Sequence, residues 1–438
     1  MNRLLRNLFF ALAALSVIFA GLFADNLRLH DDPLWNSKTI WCALAGAFFF
    51  IAAGWKFPLK LKFKIFAVLF GLLLVELVLQ AAAWLGVLPA VNVKARAPYA
   101  RVYWTSEGRG NGIRNSLGWY YPEFDLKAAR KIAFVGDSQV EAVEVLRTQN
   151  QAADLQRLLK RQSPDWSVLG LGNHGTCPAF SIDVLEYAWR HFQPQEAIVA
   201  VSMGANVSEA VPELAVVPAD QYIYYDLDAD GKLVLNPASA PARKMFNDGL
   251  EFSSRSLLVT LPQIICSHCM ILQLAISLRD NLHKGGRQAE LIAHGALPNG
   301  FNPASYAVNP SPAARRALQI LLAQLQQCKN VCDSHGMKFR LVTVAVFPKI
   351  FYDTQRGRDW TTRIGDYDYA GPERAVAAWA RANGIPVVSM GETIRRKNLD
   401  VEEIRSLYFV GGTGHLTPKG HAFCAQAIYE GFYQTKSN

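Results

Sequence analysis

The feature that most constrains this 438-residue chain is a change of character near residue 94. Up to Lys94 the sequence is mostly apolar runs, and from Ala95 onward it reads as an ordinary globular protein. A helix needs about 20 apolar residues to cross a hydrocarbon core. Runs at about 7–24, 39–55 and 65–88 come close to that length, so three transmembrane helices are expected. Arg3 and Arg6 precede the first run, and Lys56, Lys60, Lys62 and Lys64 separate the second from the third. The segment between the first two runs is mixed in charge, with Asp25, Asp31 and Asp32. The positive-inside rule then puts the N-terminus and the lysine loop in the cytoplasm and everything after Leu88 outside. A signal peptide ending near Ala24 leads to the same location. The expected organisation is a membrane anchor at 1–94 in the inner (cytoplasmic) membrane and a periplasmic domain at 95–438.

Charge supports this division. Of the net charge of +9, +5 lies in residues 1–94, which leaves +4 spread thinly over the rest without a dense basic stripe. Nucleic acid is therefore excluded as the expected partner. Glu76, inside the third run, is expected to be a protonated or hydrogen-bonded packing residue facing the other two runs, because those runs hold no cation to pair with it. There are seven cysteines, Cys42 in the anchor and six in the outer domain, where disulfides can persist. Cys266-Ser-His-Cys269 looks like a redox or zinc pair, but it sits in an apolar helical stretch with no second pair at zinc spacing. Neither a metal nor a cofactor is expected.

From Lys131 onward short apolar runs alternate with amphipathic helical stretches, which predicts a parallel sheet covered by helices. Strands are expected at 131–135, 166–171, 197–202, 338–345 and 386–389. Helices are expected at 149–161, 181–190, 312–335, 372–382 and from Thr417-Pro418 to about Gly431. The expected fold is α/β, a flavodoxin-like three-layer α/β/α sandwich, in which ligands sit beyond the carboxyl ends of the strands. Residues 209–311 interrupt the pattern. Within them, Asp226-Leu-Asp-Ala-Asp-Gly231 begins like a calcium loop, but Pro237 stands where the loop needs a bidentate Glu. An Asp-Gly β-hairpin is the better expectation. The apolar stretch 254–282 is expected to be a helix pair on the core or a lid over the site.

The strand ends carry the chemistry. Gly136-Asp137-Ser138 follows the first strand, Gly172-Asn173-His174-Gly175 the second, and Gly204-Ala205-Asn206 the third. Gly414-His415-Leu416-Thr417-Pro418-Lys419-Gly420-His421 precedes the last helix. Acyl transfer needs a nucleophile, a base to take its proton and donors aimed at the oxyanion. Ser138 at a helix start offers a hydroxyl and a free N–H. Gly175 offers a bare N–H, Asn206 a side-chain amide and His415 the base.

In order and content these blocks resemble the SGNH (GDSL-like) hydrolases, and the resemblance covers about residues 112–430. Ahead of the first strand, Ile113-Arg-Asn-Ser-Leu-Gly118 is similar to the membrane-tethered bacterial members. The resemblance implies Ser138 as nucleophile, His415 as base, and Ser138, Gly175 and Asn206 as the oxyanion hole. Two positions depart from the pattern. Val207 follows Asn206 where the family usually has Asp. The triad Asp that the family places two or three residues before the His is absent, since Thr413 and Gly412 stand there and no carboxylate lies between Glu403 and His415. Thr413 is the local substitute; a dyad, a backbone carbonyl or a carboxylate from elsewhere are the other options. His421 is expected to pack, His174 either touches substrate or lies exposed, and Trp104, Trp119, Tyr120 and Tyr121 are expected in the core.

The expected function is a serine ester hydrolase or O-acyltransferase working through an acyl-serine. Family and location imply an extracytoplasmic acylated carbohydrate or lipid-linked substrate. The alternative suggested by the missing Asp is a weak or inactive membrane scaffold, an accessory subunit of envelope polysaccharide machinery.

Overall fold

The computed structural model describes residues 2–26, 45–85, 87–88, 96–105, 107–203, 205–215, 217, 219–254, 257–276, 278, 303–345, 363–364, 367–368, 370–409 and 414–434. Near the N-terminus are helices α1 (Asn2–Asn26), α2 (Ala45–Trp55) and α3 (Leu59–Leu85). Among the described residues α3 is the one helix long and apolar enough to cross a membrane. The expectation of three spans is corrected accordingly. The second run is helical over Ala45–Trp55, which at 1.5 Å per residue falls well short of a core about 30 Å thick; residues 39–44 lie outside the described residues. The first run lies within α1, which packs on α2 through Phe9 stacked on Phe50 and Phe10 edge-on to Trp55. The third starts earlier than expected, because the helix continues back through Lys64, Lys62 and Lys60. Lys62 is buried there and donates to the Gly54 carbonyl (2.8 Å), closing the C-terminus of α2. Val68 and Val78 of α3 are 63% and 68% exposed. By length and composition this helix could cross a membrane.

The expected five-stranded parallel sheet is present. Its strands are β3 (Arg130–Gly136), β4 (Trp166–Gly172), β5 (Glu196–Ser202), β8 (Lys338–Val344) and β11 (Val387–Ser389), in the spatial order β11-β8-β5-β3-β4. Short antiparallel pairs lie outside it: β1 (Arg101–Trp104) with β2 (Gly110–Ile113), β6 (Tyr225–Leu227) with β7 (Leu233–Leu235), and β9 (Arg363–Ile364) with β10 (Tyr367–Asp368). Residues 132–136 of β3 and all of β4 and β5 are buried, which is why these strands read as unbroken apolar runs.

Crossovers between parallel strands are right-handed. The chain moves outward from β3 to β4 and then back across to β5, so α5 (Gln151–Lys160) and α6 (Pro178–Phe192) cover opposite faces. The packing agrees, with α5 against the helix Pro418–Phe432 and α6 against Pro312–Ser334. The reversal of direction beside β3 leaves a crevice at the carboxyl end of that strand, where Ser138 stands. Caps set the helix starts: Asn150 Oδ1 accepts from Ala153 N (2.9 Å), and Thr417 Oγ1 accepts from Gly420 N (3.1 Å).

The interruption at 209–311 holds the expected hairpin, β6–β7, with Gly231 at φ +75° and Asp228 Oδ1 accepting from Asp230 N and Lys232 N. The apolar stretch does not behave as expected. Its described part, 257–276, packs against α1, α3 and β1 rather than over the site. Glu76 of α3 accepts from Met270 N (2.8 Å) and Ile271 N (3.0 Å), two amides freed by a break at Cys269. Glu76 is thus a hydrogen-bonded packing residue, with its partners in this stretch. Residues 281–300 lie outside the described residues. The six described cysteines, Cys177, Cys266, Cys269, Cys328, Cys332 and Cys424, are free thiols; Cys42 lies outside the described residues.

Candidate active site

The nucleophile turn is built at the end of β3. Asp137 caps α4 (Ser138–Glu141), a single turn, through Oδ1 accepting from Gln139 N (2.9 Å). The turn closes on Ala142 at φ +53°, a conformation costly for a residue with a Cβ and stabilised here by Ala142 N donating to Ser138 O (2.7 Å). The helix expected after Ser138 is this one turn, followed by a separate α5. The N–H groups of Gln139, Val140 and Glu141 are bonded to Asp137, so what the turn offers an oxyanion is the Ser138 N–H more than a summed dipole. Ser138 is half-buried, so its hydroxyl is reachable.

His415 sits on the loop entering the last helix. The loop is held on both sides, by Phe409 N donating to His415 O (2.9 Å) and Thr417 N donating to Leu407 O (2.9 Å). Gln139 ties it to the nucleophile turn, accepting from Leu416 N (3.2 Å) and donating to Gly414 O (3.3 Å). These constraints bring His415 Nε2 to 2.8 Å from Ser138 Oγ. Gly412 and Thr413 lie outside the described residues. The carboxylate at Nδ1 comes from far away in the chain: Glu107, in the loop between β1 and β2, takes the hydrogen bond from His415 Nδ1, 308 positions away. A carboxylate only accepts, so Nδ1 carries a proton, and when the ring is neutral Nε2 is left to accept from Ser138.

The hairpin can approach because of its glycines. A Cβ on Gly108, at φ +67°, would meet Glu144 O at 2.3 Å, and one on Gly110 would meet Val143 O at 1.6 Å. Arg109 N donates to Glu144 O (2.9 Å) across the same contact. The run Glu107-Gly-Arg-Gly-Asn-Gly112 was therefore the sequence signal for the missing acid. Three glycines in five residues after a Glu mark a backbone that must press against something.

Burial and charge tune this group. Burial works against a charged His415, but Glu144, Glu107 and Asp137 outweigh it and raise the imidazole to about 9. Burial pushes Glu144 up to about 7, opposed by His415 and reinforced by Glu107 and Glu141. Asp137 is raised by burial and drawn back by its hydrogen bonds and by His415. His421 is fully buried beside His415 and lowered to about 3, by burial first and the neighbouring imidazole second, so it packs as a neutral ring. The nearest donor atoms of Glu107, Glu144 and His415 lie within 4.8 Å of one another. Both imidazole nitrogens are already hydrogen-bonded, Nδ1 to Glu107 and Nε2 to Ser138.

The second strand end is tied to the first. Arg114 pairs with Glu141 Oε1 (2.8 Å) while Glu141 Oε2 accepts from His174 N (2.8 Å), both partners of the ion pair buried. Beside Arg114 the chain turns at Asn115, whose Oδ1 accepts from Leu117 N and Trp119 N. Gly175 is at φ +67°, and a Cβ there would meet nothing within 4 Å. The glycine serves the backbone conformation, and the space beside it is open. Gly172 makes the close approach instead, since a Cβ would meet Glu141 N at 1.9 Å.

Asn206 is buried beneath the nucleophile turn. Its Oδ1 accepts from Ser202 N (2.9 Å), and its Nδ2 donates to Asp137 Oδ2 (3.1 Å), Thr176 O (3.3 Å) and Glu209 Oε2 (3.3 Å). The structure thus brings Ser138, His415 and Asn206 around Asp137; Gly204 lies outside the described residues. Trp119, Tyr120 and Tyr121 are core residues, Trp104 is half-buried, and the Trp104 ring meets the His174 ring edge-on at 5.6 Å.

No family model matches the sequence, and no curated protein matches it. Among solved structures, TesA aligns with 69% of this chain and 98% of its own at 13% identity and a TM-score of 0.32. The acetyl xylan esterase AlAXEase aligns with 69% of this chain and 99% of its own at 12% identity and a TM-score of 0.34. A catalytic mutant of Axe2, an acetylxylan esterase from Geobacillus stearothermophilus, aligns with 70% and 96% at 11% identity and a TM-score of 0.31. What the chain can do chemically follows from its own Ser138, His415 and Glu107.

Proposed function

We propose that the protein is a serine ester hydrolase or O-acyltransferase acting through an acyl–Ser138 intermediate. The observation that carries this is the 2.8 Å contact between Ser138 Oγ and His415 Nε2, with Glu107 on Nδ1. His415 takes the Ser138 proton as Oγ attacks the acyl carbon, then gives it to the departing alcohol. Water or a sugar hydroxyl, deprotonated by the same nitrogen, resolves the intermediate. Ser138 N and Gly175 N supply oxyanion donors. Asn206 Nδ2 joins them by exchanging one of its 3.3 Å partners for the developing charge.

The proposed substrate is an acylated glycan or lipid-linked glycan on the periplasmic side of the inner membrane, within reach of envelope polysaccharide machinery. Lys60, Lys62 and Lys64 at the start of α3 favour the cytoplasmic side for that end, which puts everything after Leu85 outside. The scaffold alternative rested on the missing acid, and Glu107 stands in that place. The test is a fluorophosphonate probe on the purified full chain, with the modified residue mapped. Labelling at Ser138, abolished in Ser138→Ala, is the expected result. Absence of labelling in the wild type at any pH, with Ser138→Ala silent in the cell, refutes the reading.

A further inference from the structure

Glu144 has no part in the triad just described, yet it shares the triad's interior. It follows the nucleophile turn by three residues, is 1% exposed, and places Oε1 3.3 Å from His415 Nδ1. Neither of its oxygens hydrogen-bonds to another described residue. Glu107 takes the hydrogen bond from Nδ1, so Glu144 lies alongside that bond as a second carboxylate. The groups facing it are Glu107 from the β1–β2 loop, Glu141 from α4, Tyr120 from the segment ahead of β3, and His415. Asp137 and His421 face His415 from the other elements of the site. Arg114 is paired with Glu141. Two buried carboxylates, Glu107 and Glu144, stand at the Nδ1 side of the imidazole. An ionised Glu144, buried 3.3 Å from Nδ1, favours the charged ring, because a low-dielectric interior resists a buried carboxylate beside a neutral imidazole.

We propose that Glu144 is a positioning residue that acts through His415: its buried charge favours the imidazolium and so sets the pH above which the base becomes free. The proposal rests on the acyl-serine reading. In the reaction, the Ser138 hydroxyl proton passes to Nε2 as the Oγ–carbon bond forms and the carbonyl electron pair moves onto oxygen. When the tetrahedral species collapses, the carbon–alkoxide bond breaks and the Nε2 proton leaves with the alcohol. Glu144 takes no proton from the substrate; it stabilises the positive ring in between.

The sign follows directly. A nearby negative charge makes the protonated ring harder to discharge, so the base is freed only on the alkaline side of its ordinary range. Removing that charge in Glu144→Gln frees it at lower pH. The experiment measures the second-order rate of Ser138 labelling by a fluorophosphonate in the full chain, from acid to alkaline pH. The expected result is that the rising limb of the Glu144→Gln profile moves down by roughly 1–2 pH units, the usual effect of one close charge. Glu144→Asp, which keeps the charge, should stay near the wild-type limb. Should Glu144→Gln not fold, Glu144→Leu replaces it, since an apolar substitute for a buried charge is often tolerated. A limb unmoved in the folded neutral variant overturns the proposal while leaving the acyl-serine reading intact. Absence of Ser138 labelling in the wild type overturns the reading instead.

Discussion

Two regions meet at this site by different means. The strand-end loops after β3, β4 and β5 deliver Ser138, Gly175 and Asn206 to one crevice because the sheet is parallel and its order reverses there. Any sequence that forms the sheet puts these loops side by side. The β1–β2 hairpin belongs to no such scheme. It lies outside the sheet and brings Glu107 to His415 only by docking its glycines on Val143 and Glu144. The loops inherit their geometry from the fold, while the hairpin's contribution depends on one contact. A role supplied by docking is easily overlooked in a sequence and should be easily lost by substitution.

Glu107→Gln is the sharpest way to break the comparison. It keeps the shape of the hairpin but removes the charge that fixes the imidazole tautomer, a loss worth about 10⁴ in rate in a Ser-His-acid site. Esterase turnover on a small acetyl ester should fall by that order, with the fold intact by circular dichroism. A loss below tenfold would hand the acid's role to Glu144 and make the hairpin a structural strap. Asn206→Ala on the strand-end side should cost about 10²–10³, the effect of one oxyanion donor. If turnover is unchanged, Asn206 serves only to hold Asp137 and the Ser202 amide. The smallest effect is expected for Thr413→Asp. A carboxylate at the position beside His415 would complete a triad that lacked one, but Nδ1 is already engaged by Glu107. Turnover should therefore stay within about twofold, since an acid adds rate only when the imidazole has none. A large gain would mean that Glu107 does not act as the acid. In a Glu107→Gln background the same substitution becomes a rescue test.

The N-terminal helices show the limits of reading by composition. An apolar run is legible at once, but whether a helix spans depends on its unbroken length and on what covers it. The run ends at Trp55 as expected, where Pro58 follows and Lys62 closes the helix by donating to the Gly54 carbonyl. Likewise the apolar stretch 257–276 advertised burial without saying against what. Its partner, Glu76, is nearly 200 residues earlier in the chain.

By itself the sequence determined the parallel sheet, the order of its helices and the β6–β7 hairpin, and it singled out Ser138, His415 and the strand-end donors as candidates. Those features are written in local terms: a period of burial, a cap, a glycine after a strand. Tertiary structure alone decided the acid. Glu107 and His415 are 308 positions apart, and no periodicity links them. The glycines around Glu107 announce a close approach without naming the surface approached. Only the packed site shows that this surface is the backbone of Val143 and Glu144, and that docking there sets two carboxylates against one imidazole.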